Sequence, residues 1–266
     1  MPFPASDSQI QLGDRMIGRI GLGTNRLTDT PANARLLAQA LELGLDLIDT
    51  ADVYTDGESE CTLGKYLSSA SAGVLLATKG GISHKRPNGS PAYLQQAIEA
   101  SLLRLRAEHI ELYQLHWTDP LVPLEESVAA LQDLRMQGKI RHVGLSNVDL
   151  AQLELARSLG PIVSVQNEYN LAERKHRDVL EYCQRLGIVF FAYYPLKLGD
   201  YQAQVNALAR KYAATPAQIA LAWLLQQADV MVPIPGTLSL PHLTENLAAT
   251  KLVLDPADLE RLNAGL

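Results

Sequence analysis

GLDLIDTADVYTDGESECTLGKYL, Gly44 to Leu67, holds a strand, a loop and a helix in succession. Leu45-Asp46-Leu47-Ile48-Asp49-Thr50 is a short, mostly apolar run behind a glycine, the pattern of a buried strand. Ala51 to Gly57 then turns, and Glu58 to Leu67 has helical periodicity. A carboxylate, Asp49, and a phenol, Tyr54, therefore stand where a strand breaks into a loop. In α/β folds active sites form at that edge.

The same unit repeats on both sides of this stretch. Strand patterns fall at Gly18–Gly23, Leu45–Thr50, Gly73–Lys79, Ile110–His116, Arg141–Asn147, Ile162–Asn167, Ile188–Pro195 and Val230–Gly236. Helical periodicity fills the gaps, at Ala32–Leu43, Ser59–Ser68, Pro91–Arg106, Leu124–Gln137, Leu150–Ser158, Lys175–Leu186, Val205–Gln226 and Leu240–Ala249. Pro216 divides the long seventh region into Val205–Ala213 and Ala217–Gln226. Gly44, Gly138, Gly160 and Gly187 sit where a helix end favours positive φ. Before the first strand, Gln9–Leu12 and Arg15–Ile17 flank Gly13-Asp14 as a hairpin. After the last, Asp255 to Leu259 opens a short extra helix. Eight strand–helix units predict an α/β fold, a (β/α)₈ TIM barrel, with 1–266 as one domain. A doubly wound open sheet is the alternative, but Gly21-Leu22-Gly23-Thr24-Asn25 lacks its glycine fingerprint.

Composition narrows the function classes. The chain has 266 residues, 47% hydrophobic and 20% charged, ordinary values for a globular protein. A net charge of −6 gives no footprint for nucleic acid, and no basic block reads as a membrane patch. No apolar run reaches the ~18 residues of a membrane span, and Met1 to Met16 lacks a signal-peptide pattern. Cys61 and Cys183 show no metal-ligand spacing and read as packed thiols of a reducing compartment. A cytoplasmic monomer acting on a small molecule, with no bound metal, is expected.

In such a barrel the ends of all eight strands converge on one face. Here they carry Thr24 and Asn25, Asp49 and Tyr54, Lys79, His116 and Trp117, Ser146 and Asn147, Gln166, Tyr193 and Tyr194, and Gly236 and Thr237. A free phenol has a pKa near ~10. An ammonium beside it favours phenolate, and a carboxylate keeps that ammonium charged and aimed. Asp49, Lys79 and Tyr54 thus form a tuned proton donor, and His116 can orient a carbonyl oxygen. No side chain here delivers a hydride, so redox chemistry would need a cofactor.

At these residues the chain resembles the aldo-keto reductase family, including bacterial pyridoxal reductases. The matching stretches are Asp49-Thr50-Ala51-Asp52-Val53-Tyr54, Lys79, Leu115-His116-Trp117, Gly144-Leu145-Ser146-Asn147 and Val165 to Asn170. Pro233-Ile234-Pro235-Gly236-Thr237 and Leu243 to Leu247 also match, so the likeness covers essentially the whole chain. It implies a barrel that binds NAD(P)H and reduces aldehydes or ketones. Tyr54 would then be the general acid, tuned by Lys79 and Asp49, with His116 orienting the carbonyl. Ser146, Asn147 and Gln166 would hold the nicotinamide carboxamide and Tyr193 would stack on the ring. Gly236, Thr237, His242, Glu245 and Asn246 would follow the adenosine phosphate end. Gly23, Thr24, Asp49, Tyr194, Pro195, Leu196 and Ile234 complete the cofactor set. Asn25, Tyr54, His116 and Trp117 would meet the substrate.

Three departures from the family pattern qualify this. Tyr194 replaces a small hydroxyl residue near the pyrophosphate or ribose. Gly236 and His242 stand where NADPH-preferring members place Lys and Arg, so NADP(H) is expected with NAD(H) as alternative. Asn25 replaces an aromatic substrate wall. The loop Gly81 to Gly89 reads equally as pocket wall or solvated surface. Two other functions compete: a nucleotide-binding redox sensor or regulatory subunit, and a lyase or isomerase with Lys79 as Schiff-base nucleophile. Asp49 beside Lys79 works against the second.

Overall fold

The structure, a computed structural model, describes residues 9–67 and 73–264. Expectations for Ser68 and for the chain ends lie outside those residues. The hairpin is β1 (Gln9–Leu12) and β2 (Arg15–Gly18), antiparallel across Gly13-Asp14. Strands and helices then alternate: β3 (Leu22–Gly23), α1 (Pro31–Glu42), β4 (Leu47–Asp49), α2 (Glu58–Leu67) and β5 (Leu75–Gly80). A ribbon, β6 (Ile82–Ser83) and β7 (Arg86–Pro87), precedes α3 (Pro91–Leu105). Next come β8 (Ile110–Leu115), α4 (Leu124–Met136), β9 (Ile140–Ser146), α5 (Leu150–Leu159), β10 (Ser164–Glu168) and α6 (Arg177–Leu186). Two helices, α7 (Gln202–Lys211) and α8 (Pro216–Leu225), follow β11 (Val189–Tyr193). The chain closes with β12 (Met231–Pro233), α9 (Leu240–Ala248) and α10 (Pro256–Ala264).

Every expected strand is present, and the eight lie parallel in the order β3-β4-β5-β8-β9-β10-β11-β12. The ring closes between first and last. Gly21 N donates to Pro233 O at 3.1 Å, Gly23 N donates to Pro235 O at 3.2 Å, and Gly23 bridges Gly236. A Cβ on Gly23 would stand 2.9 Å from Ile234 O, so this seam admits no side chain.

Two apolar layers follow from the period of two along each strand. Inward residues Leu47, Leu75, Ala77, Leu112, Val189, Phe191, Val232 and Ile234 fill the barrel, and the hairpin's Leu12 and Ile17 join them as a plug. Outward residues such as Ile48, Tyr113, Val143, Val165 and Phe190 meet the helices through Leu37, Leu63, Ile98, Leu131, Leu153, Leu180 and Trp223. The plug sits at the N-terminal end, where Gly13 packs on the His142 ring and Asp14 Oδ1 lies 2.8 Å from His142 Nε2.

Local chemistry sets the helix ends. Thr215 and Gln218 form a capping box behind Pro216, which separates α8 from α7 as its ring requires. Gly44, Gly138 and Gly187 take positive φ at helix ends. Gly160 does not: it is extended, and its missing side chain makes room for Gln132, whose amide donates to Pro161 O at 3.0 Å. Cys183 is buried as expected, but Cys61 is exposed on α2. Among the described residues no helix is long and apolar enough to cross a membrane.

Candidate active site

Stepping two residues at a time along the inward faces leads from an apolar interior to a polar mouth. Leu47 leads to Asp49, Ala77 to Lys79, Leu112 through Gln114 to His116, Ser164 to Gln166 and Phe191 to Tyr193. The alternation that fills the core therefore also delivers the reactive groups. Lys79 and Asp49 are buried at 1% and 3% exposure. Lys79 Nζ donates to Asp49 Oδ1 at 2.9 Å, to Oδ2 at 2.8 Å and to Thr50 O at 2.7 Å. Gln166 Nε2 donates to Asp49 Oδ1 at 2.8 Å, while Thr24 Oγ1 donates to Asp49 O at 2.8 Å. Isolated charges do not survive at such burial; this pair does because each partner's polar atoms are engaged.

Tyr54 comes from the turn after β4. Thr55 and Asp56 take φ of +49° and +55°, left-handed values that reverse the chain just past the phenol. The Lys79 ammonium lies 4.9 Å from the Tyr54 ring centroid, and the His116 ring stands edge-on to Tyr54 at 6.0 Å. Burial raises the Tyr54 pKa, and although Lys79 pulls it down the net direction is up. Tyr54 is thus a neutral phenol, and the ammonium moderates burial rather than producing a phenolate. For Lys79 burial pulls the pKa down, but Asp49 and Tyr54 more than reverse it, so the ammonium stays charged. Burial, helped by the Lys79 charge, lowers His116 to about 3, which keeps its ring neutral at physiological pH.

These groups open on a cleft of about 570 Å³, the size of a small-molecule site. Asp49, Tyr54, His116 and Trp117 line one part of it. Gly23, Thr24, Asn25, Ser146, Asn147, Gln166, Tyr193, Tyr194, Pro195, Ile234 and Gly236 line it elsewhere. Asn147, at φ +59°, donates to His116 O and Ser146 Oγ, both at 3.0 Å, and accepts from Tyr193 OH at 2.7 Å. Strand ends β8, β9 and β11 are thereby tied together at the mouth.

Some expected residues stand apart from this cleft. Lys79 lies behind Asp49, and Leu196, Thr237, His242, Glu245 and Asn246 do not line it. Thr237 Oγ1 accepts from Ser239 N at 3.0 Å at the start of α9, and Asn246 is buried. The Gly81–Gly89 loop does not line it either: it is the β6–β7 ribbon, held by a hydrogen bond from Tyr93 OH to Ile82 O. Arg26, an exposed rim cation beside Asn25, does line the cleft, although nothing in its type or spacing singled it out in the sequence.

The aldo/keto reductase family's sequence model matches residues 19–265. The chain belongs to the aldo/keto reductase family. It is 37% identical to an uncharacterized oxidoreductase of Schizosaccharomyces pombe, over 96% of this chain and 88% of that one. It is 33% identical to the pyridoxine 4-dehydrogenase of Escherichia coli, over 97% of this chain and 98% of that one. A crystal structure of an aldo/keto reductase from Klebsiella pneumoniae in complex with NADP and acetate superposes with a TM-score of 0.85. That protein is 30% identical, with 97% of this chain and 95% of the other covered. Membership of the aldo/keto reductase family makes the chain an oxidoreductase and accounts for the (β/α)₈ architecture.

Proposed function

We propose that this oxidoreductase reduces a small aldehyde or ketone to an alcohol using NADP(H), with NAD(H) as the alternative, and that Tyr54 is the proton donor. The observation that carries this reading is Tyr54 at the cleft, backed by the buried Lys79–Asp49 pair and faced by a neutral His116.

The cleft fits a dinucleotide. Ser146, Asn147, Gln166 and Asp49 line it together, Tyr193 OH donates to Asn147 Oδ1, and at the Gly23–Gly236 seam a side chain on Gly23 would meet backbone. The nucleotide, when bound, supplies the hydride. The chain's own residues supply the rest. Tyr54 gives its hydroxyl proton to the carbonyl oxygen, and the fixed Lys79 charge stabilises the oxygen Tyr54 keeps. His116 donates a ring N–H to the same carbonyl oxygen and so aims it. Gln166 and Thr50 hold Asp49 and Lys79 in place. The NADP complex of the Klebsiella protein supports the cofactor assignment, and the pyridoxine 4-dehydrogenase relative supports an aldehyde-bearing ring as substrate. The Lys79 Schiff-base reading requires a free amine, whereas here all the ammonium's bonding capacity is directed at Asp49, Thr50 and Tyr54.

The test is a fluorescence titration with NADPH and with NADH, followed by assay of an aldehyde panel including pyridoxal. Binding with aldehyde reduction is expected. Failure to bind either nucleotide overturns the proposal, and binding without turnover transfers it to a nucleotide-binding sensor.

A further inference from the structure

Buried polar atoms need hydrogen-bond partners, and the few without one mark places where something more is present. Among the described residues, four such atoms lie on the inward face directly under the mouth: Gln114 Nε2, Gln114 Oε1, Ser164 Oγ and His116 Nδ1. Gln114 and Ser164 are wholly buried. The register explains why they meet. Lys79, Gln114, Gly144 and Ser164 are successive partners across β5, β8, β9 and β10. At Gly144 there is no side chain, and a Cβ there would stand 2.2 Å from Ser164 Oγ and 2.9 Å from Gln114 Cγ. Gln114 and Ser164 therefore close over the glycine from both sides. His116 is two residues beyond Gln114 on the same face.

His116 is neutral, so which ring nitrogen carries its proton decides what it can do. An N–H aimed at a carbonyl must be on Nε2, which leaves Nδ1 as an acceptor in need of a donor. We propose that Gln114 is a positioning residue that fixes this tautomer: with Ser164 it holds one buried water, and that water donates to His116 Nδ1. The water accepts from Gln114 Nε2 and gives its second proton to Ser164 Oγ, three bonds in all, the usual number for buried water. Water is the fitting ligand because none of the four buried atoms has a hydrogen-bond partner among the described residues. This rests on the proposed carbonyl-orienting role of His116, but its primary readout is independent of activity.

The experiment is ¹⁵N NMR of the imidazole in the full chain, with the His116 signals identified by their loss in His116→Asn. The expected result is the Nε2–H tautomer, with Nδ1 shifted as a hydrogen-bond acceptor. In Gln114→Met the ring should become a mixture of tautomers, and kcat should fall on the order of tenfold with nucleotide affinity unchanged. Ser164→Ala, a smaller change should Gln114→Met not fold, should weaken the acceptor shift. An Nδ1–H tautomer in the unaltered protein, or a tautomer indifferent to the substitutions, overturns the proposal. An inactive protein with the expected tautomer would leave it standing and count only against the reductase reading.

Discussion

Lys79 and Tyr54 separate the electrostatic from the protonic part of the site. Tyr54→Phe removes the transferable proton and leaves the Lys79–Asp49 pair intact. It should lower kcat by about 10²–10⁴-fold while nucleotide affinity and thermal stability stay near the original values. Equal loss of binding and turnover would contradict the assigned role. Lys79→Met should cost more, because it leaves the Asp49 carboxylate buried beside a thioether. Unfolding in denaturant should show about 3–5 kcal/mol less stability, in addition to lost turnover. An unchanged midpoint would mean the pair is not buried in solution. Asp49, Tyr54, Lys79 and His116 could be found in the sequence because each is a reactive residue at or just past a strand end. Gln114 could have been found by stepping back two residues from His116, since the strand period puts both on one face. Arg26 had no such signal, because a rim cation in a loop follows no period.

Behind the β5 wall, the turn that carries Tyr54 leans on a second charged group. Asp52 N donates to Lys79 O at 2.9 Å, and the Asp52 side chain packs outward against Gly80, where a Cβ would stand 2.9 Å from Oδ2. Nearby, Glu60 on α2 is wholly buried, accepting from Thr78 Oγ1 at 2.5 Å and from Arg104 Nε at 2.7 Å. One arginine thus faces two carboxylates. Burial first, and the Glu60 charge second, raise the Asp52 pKa from 3.8 to about 7 against the pull of Arg104. The folded chain therefore holds a proton that the unfolded chain releases, so stability falls as pH rises from about 4 to about 7. Asp52→Asn should remove this dependence. Relative to the original, its Tm should rise by several degrees at pH 8 and converge with it near pH 4. A gain of equal size at both pH values would show that Asp52 does not titrate in that window. Elements of this kind were only partly legible. Helices and barrel strands follow periods of 3.6 and two, whereas the two-residue strands β6 and β7 are too short to show any period. Gly160 was misread because a helix-terminal glycine signals either positive φ or close approach, and only the Gln132 contact decides between them.

Across the whole molecule, the order of strands came from counting strand–helix units, but the closure came from residues no pattern marks. The seam between β3 and β12 consists of two backbone hydrogen bonds and a glycine bridge, and it joins the beginning of the barrel to its end. The interior layer has members on both sides of it, Leu47 near the start and Ile234 near the finish, with the hairpin's Leu12 packed among them. Because this layer draws on both ends of the chain, we propose that the 266 residues behave as one domain. The seam provides the sharpest test. Gly23→Ala puts a methyl 2.9 Å from the Ile234 carbonyl, where backbone rather than a flexible side chain must yield. The cost should be about 1–3 kcal/mol. Because the seam belongs to the whole ring, calorimetry should show a single unfolding transition moved as a unit by about 2–6 °C. Gly23 and Gly236 also line the cleft, so nucleotide binding should weaken as well. A second transition splitting from the first would mean that the two ends of the ring fold separately and that the one-domain proposal fails.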